Sequence, residues 1–239
     1  MLKNSISHTC VIRTLPPTSE KYDLPALACN TDIFPDYIAL SRQPSLYHKT
    51  ELTAVGFWEY DDVFNGHNGL EAAIYYGLED RLDCFRKRFD GVRFLFTPDI
   101  SMMGDVHVFE NDRRLLMSRV IGVWLTVETS AIVIPFITAA KASDMDKAID
   151  GLEACSVIAL STKGYVDSPI ERQELKKIVR IAVDRLQLKA IVVYDVCGTN
   201  NAVRDIFAYA YERGVRVVVP MNSLKERNIA HWEARHAQH

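Results

Sequence analysis

The chain lacks the features that would place it in a membrane or on a polyanion. No stretch reaches the roughly eighteen uninterrupted apolar residues of a candidate membrane-spanning helix. The 239 residues include 28 basic and 31 acidic side chains, which give a formal net charge of −3. Because these charges nearly cancel, no global field draws the protein to nucleic acid or to an anionic membrane. Contact with a polyanion would therefore depend on a local patch.

Paired cysteines are also missing. The five cysteines are odd in number and far apart, without the spacing of a zinc site or a redox motif. The first residues, MLKNSISHTCVIRTL, interrupt each apolar run with polar side chains, unlike a secretory leader. We therefore predict a cytoplasmic protein with reduced thiols and no membrane segment. The sequence does not predict an oligomeric state.

The length and the 48% apolar content are sufficient for one large core, so we predict a single α/β domain over residues 1–239. Residues 1–50 are predicted to be an N-terminal arm or an irregular segment packed on that domain. They contain scattered prolines and two brief apolar runs, LPALAC and YIAL. Each run is open to two interpretations, a short strand or part of an ordered arm.

From Ala54 onward, short apolar runs alternate with longer segments of helical period. The runs are apolar on both faces, which is typical of strands buried on both sides. We predict strands at 54–60, 92–98, 131–137, 156–162, 190–196 and 215–222.

The intervening segments predict amphipathic helices that cover the sheet. One is expected over 69–89, a second over 108–128, a third from Ser168-Pro169, where a hydroxyl cap precedes proline, and a last one from about residue 201 to Gly214. In the second, Arg113, Arg114 and Arg119 fall off the apolar stripe or at its margin. His231, His236 and His239 lie in a polar tail, which we expect to be flexible and solvated.

Alternation of strand and helix with right-handed crossovers predicts a mostly parallel sheet with helices outside. A (β/α) barrel-like arrangement is the first choice for this α/β fold. An open three-layer, doubly wound sheet is the alternative. In both architectures ligands bind at the carboxyl ends of the strands, so the residues just after each apolar run are the candidates for chemistry.

Those strand ends are polar in this chain. Convergence of Asp99, Asp62 and Asp195 would supply an acid and a base, or would hold a hard cation such as magnesium. The alternative is that such residues cap the helices that follow the strands. Further candidates for ligand binding are Asp61, Ser101, Arg119, Ser161, Thr162, Lys163 and Asn200, and Thr138 also follows a strand.

Two short segments that follow predicted strands could approach a phosphate. Gly198-Thr199-Asn200-Asn201 opens a helix after a strand, and Ser161-Thr162-Lys163-Gly164 adds a lysine to a strand end. Neither matches a dinucleotide fingerprint or a Walker motif. Turn chemistry explains the second segment equally well.

The order FWEYDDVF, TPDIS, SRVIGVWL, AIVIPFI and ACSVIALSTKG resembles a bacterial and phage family, the domain of unknown function numbered forty-four seventeen. The resemblance covers about residues 54–165. It implies a setting in phages and mobile elements, with roles in replication, DNA transactions or conflict with host defence. Carried over residue by residue, it points to Asp61, Asp62, Phe64, Pro98, Asp99, Ser101, Arg119, Gly122, Trp124, Pro135, Ser161 and Thr162.

Two functions are compatible with these observations. The first is an enzyme, metal-assisted or not, or a protein that binds a small molecule, nucleotide or phosphate in a pocket at the strand ends. The second is a non-catalytic binding protein, such as a replication accessory or a counter-defence factor, that acts on nucleic acid or a host protein.

The cysteine pattern predicts five free thiols in the freshly purified protein. Thiol counting in denaturant without reductant is expected to find all five. Three or fewer would contradict the assignment to a reducing compartment.

Overall fold

The computed structural model describes residues 18–58, 66–103, 105–166, 168–197 and 200–236. Within these ranges the chain forms eight short strands. They are β1 (Tyr37–Leu40), β2 (Thr53–Gly56), β3 (Phe94–Phe96), β4 (Ile132–Ile134), β5 (Val157–Ser161), β6 (Ala190–Tyr194), β7 (Arg216–Val218) and β8 (Met221–Asn222).

Helices connect these strands and cover their outer faces. They are α1 (Leu70–Tyr76), α2 (Glu79–Arg88), α3 (Val108–Glu128), α4 (Met145–Ala148), α5 (Pro169–Arg185), α6 (Asn200–Ile206), α7 (Ala208–Glu212) and α8 (Ser223–His236). Short 3-10 turns occur at Pro44–Leu46 and Ala142–Asp144. None of the helices in the described ranges combines the length and apolar character needed to cross a membrane.

All strand neighbours pair in parallel, as the two-sided apolar runs predicted. One sheet has the order β4-β3-β2-β1-β8 and the other the order β5-β6-β7. The YIAL run forms β1, which pairs with β2 on one side and β8 on the other. Part of the segment predicted as an N-terminal arm is therefore a central strand.

The two sheets are connected at both ends, by backbone pairing on one side and by the chain itself on the other. Beyond β4, Phe136 pairs with Ala159 of β5, and the Ile137 N–H donates to the Ala159 carbonyl at 3.0 Å. On the other side, β7 pairs with β6, and β8, which follows after two residues, pairs with β1. The chain from Arg216 to Asn222 thus passes directly from the edge strand of one sheet to the edge strand of the other. This connection favours the barrel-like arrangement over the open sheet.

The residues of β1, β2, β3 and β4 alternate between two core clusters, one toward the other sheet and one toward the helix layer. Ile38, Ala54 and Phe94 belong to a core cluster that also contains β5 and β6. Their neighbours Tyr37 and Val55 pack in a second cluster with α1, α2 and α3. Alternation of this kind is the two-residue period of a strand, which places one side chain inside and the next outside.

The indole of Trp58 occupies the interior just after β2. It stacks on Tyr194 at the end of β6, with ring centroids 4.3 Å apart and planes 5° apart, and its centroid lies 4.8 Å from that of Phe96. A Cβ at Gly56 would fall 1.8 Å from this ring. Gly56 therefore leaves the space into which the indole packs.

Several predicted elements differ from the structure. The single strand expected over 215–222 is divided into β7 and β8, and the helix expected from about residue 201 to Gly214 is divided into α6 and α7. The helix expected over 69–89 is interrupted at Gly77, whose φ of 62° ends α1 in the left-handed region. This region favours glycine, so the chain turns there although the apolar stripe continues into α2. The polar tail predicted to be flexible is helical as far as His236, because it belongs to α8, whose first turn is held by Asn222 and Lys225 as described below. His239 lies outside the described residues.

Substitution of Gly56 tests the packing of Trp58. Gly56→Ala is expected to lower the free energy of unfolding by about 3 kcal/mol, because the new methyl group would overlap the indole in a packed interior. Gly214→Ala is the matched control, since a Cβ there meets nothing within 4 Å and only the φ of 74° opposes it. The control is expected to cost about 1–2 kcal/mol. Equal losses in urea denaturation would contradict the packing account.

Candidate ligand-binding site

A cavity of about 390 Å³ opens at the carboxyl ends of β3, β4 and β5, beside the N-terminus of α5. This is the end of the strands at which the sequence predicted a ligand site. Its apolar wall comes from side chains such as Phe136, Ile137, Leu160, Leu175 and Ile178. The polar side chains around it are Asp99, Ser101, Thr138, Lys141, Ser161, Lys163, Tyr165 and Glu171.

Helix α3 holds the segment that carries Asp99. The Ser118 hydroxyl donates to the Pro98 carbonyl at 2.7 Å in a buried position, and Arg114 donates to the Ser101 carbonyl. Asp99 itself is half-buried. These two contacts restrain the backbone on both sides of Asp99, so the residue has a defined position in the cavity wall. Preorganisation of this kind is what binding and catalytic side chains require.

Thr138 is the buried hydroxyl without a partner in this cavity. The residue is only 4% exposed, and within the described part of the chain its Oγ1 makes no hydrogen bond. Leaving a buried hydroxyl unpaired costs roughly 1–3 kcal/mol. A hydroxyl that lines a cavity and lacks a protein partner is a candidate to bind a ligand.

Tyr165 lies on the same side of the cavity. Its hydroxyl donates to the Ala139 carbonyl at 2.5 Å. Burial raises the pKa of the Tyr165 phenol above its usual value, and the negative charges of Asp99 and Glu171 among others raise it further. The phenol therefore stays protonated at neutral pH, and its oxygen can still accept a hydrogen bond.

Ser161 and Lys163 form the wall contributed by β5. The Ser161 hydroxyl donates to the Tyr194 carbonyl at 3.2 Å and accepts from the Lys163 N–H at 2.9 Å. The Lys163 ammonium donates to the Trp58 carbonyl at 2.9 Å. These bonds connect the cavity wall to the aromatic stack of Trp58 and Tyr194.

Thr162 and Asp195 lie next to the cavity but do not line it. Asp195 is fully buried, and its Oδ1 accepts from the Thr162 hydroxyl at 2.9 Å and from the Cys197 N–H at 3.1 Å. Thr162 Oγ1 in turn accepts from the Val196 N–H at 3.0 Å. The predicted meeting of Asp195 and Asp99 in one site is therefore not what the cavity shows.

Lys225 of α8 neutralises Asp195. The Lys225 Nζ lies 2.8 Å from Asp195 Oδ2, and both side chains are almost completely buried. Asp195 Oδ2 has no aligned hydrogen bond within the described residues, so this contact is held by charge rather than by hydrogen-bond direction. Asn222 joins the same network, because its amide donates to the Asp195 carbonyl at 2.8 Å and its Oδ1 accepts from the Lys225 N–H.

Cys197 borders this network without being activated by it. Burial raises the pKa of the Cys197 thiol to about 12, and the charge of Asp195 contributes to the increase. At neutral pH the group is therefore a thiol. Since the thiolate is the nucleophilic form, Cys197 is not set up for covalent catalysis.

Arg119 has a structural position away from the cavity. Of the two predicted positions, off the apolar stripe of α3 or at its margin, only the margin agrees with the structure, because the residue is only 3% exposed. Its guanidinium donates to the Ala148 carbonyl at 2.6 Å and to the Asp150 carbonyl at 3.2 Å. Burial lowers the pKa of Arg119 to about 10, so it stays charged at neutral pH. It links α3 to the loop before β5 and does not face the cavity.

Gly122, one turn further along α3, allows close packing on the strands. A Cβ at this position would meet the Thr97 methyl group at 2.6 Å. Together with Arg119, this gives the arginine and glycine of the SRVIGVWL segment a role in packing.

Three predicted site residues have no side-chain description. Asp61 and Asp62 lie in 59–65, outside the described residues, and the side chain of Asn200 at the start of α6 is likewise not described. In the ranges that are described, no group of three or more histidine, cysteine or acidic side chains could hold a metal ion.

Sequence reasoning missed three contributors to these sites. Lys225 follows the last predicted strand in a segment to which no element was assigned, and no local pattern marks a lysine that will be buried. Tyr165 and Lys141 are loop residues after strands, where a polar residue is common in any protein. The position of Thr138 at a strand end was noted, but its lack of a partner depends on the tertiary structure.

Comparison with known proteins gives a family but no described relative. The model of the family DUF4417, a domain of unknown function, matches residues 16–219. This chain belongs to that family. The match is wider than the resemblance at about residues 54–165, and it includes every residue that lines the cavity. Asn222 and Lys225 lie beyond it. No curated protein and no solved structure matches the chain.

Substitution of two buried threonines, Thr138 and Thr97, tests whether the Thr138 hydroxyl lacks a protein partner. Thr138→Val is expected to leave the free energy of unfolding unchanged or to raise it by up to about 1 kcal/mol, because no hydrogen bond is lost. Thr97→Val is the matched control, since Thr97 Oγ1 accepts from the Phe136 N–H at 2.8 Å. It should cost about 1–3 kcal/mol. A comparable loss in Thr138→Val would show that its hydroxyl has a protein partner.

A second test measures how much the buried ion pair of Lys225 and Asp195 contributes to stability. Lys225→Met is expected to destabilise the protein by about 3–5 kcal/mol, because Asp195 would keep an uncompensated buried charge. In the double variant with Asp195→Asn the loss should be smaller than the sum of the two single losses. Lys176→Met breaks an exposed pair with Asp205 and is expected to cost less than about 1 kcal/mol. Similar denaturation midpoints for Lys225→Met and Lys176→Met would contradict this account.

Proposed function

We propose that this protein binds a small organic molecule in the cavity at the ends of β3, β4 and β5, and that Asp99 acts there as a general acid or base. One observation carries the proposal: the same cavity combines a half-buried carboxylate with an unpaired buried hydroxyl, that of Thr138, above an apolar wall. Ligand sites are typically concave and apolar with a few placed polar groups.

The surroundings of Asp99 suit proton transfer. A general base must lie within hydrogen-bond reach of the proton that it removes, and it must be held in place. The backbone contacts of Pro98 and Ser101 with α3 provide this restraint. Thr138 and Tyr165 supply hydroxyls that can orient the ligand.

The described residues support a small organic ligand more strongly than a phosphate or nucleotide. Thr162 is occupied by the Asp195 network, and the Lys163 ammonium donates to the Trp58 carbonyl. Asp99 and Glu171 also place negative charge in the wall. A magnesium-assisted form of the proposal requires additional oxygen ligands, and Asp61 and Asp62 are its candidates.

A second function, that of a non-catalytic binding protein, is favoured by one surface feature. Tyr75 and Tyr76 of α1 are 51% and 50% exposed, and they border a groove of about 510 Å³ with Leu116 and Met117 of α3. Exposed aromatic side chains are enriched where proteins bind one another. In this proposal the protein acts in the cytoplasm of a bacterial cell, as a phage or mobile-element factor that contacts a host protein.

Asp99→Asn separates the two functions. We expect it to abolish retention of the cavity ligand, measured by native mass spectrometry after gentle purification, while changing the free energy of unfolding by no more than about 1 kcal/mol. The control is Asp90→Asn, an exposed carboxylate outside the cavity. If Asp99→Asn melts several degrees lower but retains its ligand, Asp99 has a structural role and the acid–base proposal fails.

The binding-protein alternative predicts a different pattern. Capture of a host protein should then be lost in a Tyr75→Ser and Tyr76→Ser double variant and be unaffected by Asp99→Asn. Loss of capture in Asp99→Asn alone would argue against the groove.

A further inference from the structure

A second pocket lies beside β7 and β8, and it shares no lining residue with the cavity at the ends of β3, β4 and β5. Only Val219 and Pro220 separate these two strands, so no helix lies between them. Helices α6 and α7 precede β7, and α8 follows β8. Residues of these three helices and of the segment from Val219 to Met221 enclose about 350 Å³. This volume is within the range of small-molecule sites, roughly 300–1,000 Å³.

The walls of this pocket are largely apolar. They include Val203 of α6, Val219 after β7, Met221 of β8 and Ile229 of α8. Val203 is buried, whereas the other three side chains are half-buried and keep contact with solvent. An apolar group that displaces water from such side chains binds favourably. The pocket therefore suits the hydrocarbon part of a small molecule.

Two cations line the pocket, and one of them is already neutralised. The Lys225 Nζ lies 2.8 Å from Asp195 Oδ2, so its charge is compensated inside the protein. Arg204 in the last turn of α6 is exposed, and in the described part of the chain its guanidinium has neither a hydrogen bond nor an ion pair. Among the described residues, no acidic side chain lines this pocket. A ligand would therefore meet one uncompensated positive charge.

The polar groups of the pocket match a carboxylate. A guanidinium presents two parallel N–H donors that fit the two oxygens of a carboxylate. The Tyr211 hydroxyl of α7 lines the same pocket and can donate a further hydrogen bond. A phosphate dianion would bring two negative charges to a single available cation, whereas a carboxylate brings one.

We propose that the pocket between α6, α7 and α8 binds an organic monocarboxylate with a short apolar body. Arg204 and Tyr211 hold the carboxylate, and Val219, Met221 and Ile229 contact the hydrocarbon part. This site is separate from the cavity of the proposed function, and neither site requires the other.

Four probes of similar shape test the ligand class: 3-phenylpropionate, 3-phenylpropanol, 3-phenylpropylamine and phenyl phosphate. Their binding to the full chain is measured by NMR titration at neutral pH. The carboxylate is expected to bind at least about tenfold more tightly than each of the other three, a difference of about 1.4 kcal/mol. Tighter binding of the alcohol, the amine or the phosphate, or no binding of the carboxylate, would overturn the proposal.

Methionine methyl groups show where the carboxylate binds. Met221 lines this pocket, Met102 lines the cavity at the ends of β3, β4 and β5, and Met117 lines the groove beside Tyr75. With ¹³C-labelled methionine methyl groups, 3-phenylpropionate is expected to shift the Met221 resonance to saturation and to leave those of Met102 and Met117 in place. Met→Leu variants assign the three resonances. A saturable shift of Met102 or Met117 in place of Met221 would contradict the proposal.

Variants then test the contacts. Arg204→Gln is expected to weaken binding of 3-phenylpropionate at least tenfold and Tyr211→Phe about threefold. Arg227→Gln is the matched control, because Arg227 is also exposed but does not line the pocket, and it should leave binding unchanged. Ile229→Trp places a large side chain in the wall and should abolish binding in protein that still unfolds cooperatively. Equal effects of Arg204→Gln and Arg227→Gln would reduce the interaction to general surface charge, and the proposed site would be wrong.

Discussion

The packing of Trp58 between the two sheets is the constraint on which the rest of the structure depends. Its indole bridges β2 and β6 through the stack on Tyr194 and contacts Phe96 of β3. A barrel interior of parallel strands must be filled by side chains, because backbone alone leaves a void. One large aromatic side chain, placed over a glycine, fills much of that space from a single position.

The two stacked residues, Trp58 and Tyr194, also contact the wall of the cavity through their backbone carbonyls. The Trp58 carbonyl accepts from the ammonium of Lys163, and the Tyr194 carbonyl accepts from the Ser161 hydroxyl. Both of these donors belong to the cavity wall. The Asp195 and Lys225 pair acts from the other side, since it ties α8 to the ends of β5 and β6. Interior groups therefore hold the part of the wall that β5 contributes.

The extent to which the site was predictable differs from residue to residue. Asp99, Ser101, Ser161 and Lys163 were predicted because strand ends in parallel folds gather at one rim, and all four line the cavity. Asp195 occupies an equivalent sequence position at the end of β6, yet it is buried against Lys225. Nothing local distinguishes Asp195 from Asp99, because the difference comes from α8, which lies about thirty residues further along the chain.

The sequence by itself determined the alternation of parallel strands and helices, since two-sided apolar runs, helical periodicity and caps such as Ser168 act over a few residues. Only the tertiary structure decided that Phe136 after β4 pairs with Ala159 of β5, that β1 is a central strand and that Arg119 is buried. These outcomes depend on contacts between residues far apart in the chain. Whether a polar side chain such as Thr138 or Asp195 finds a partner or faces a cavity is set by such contacts and not by its neighbours in sequence.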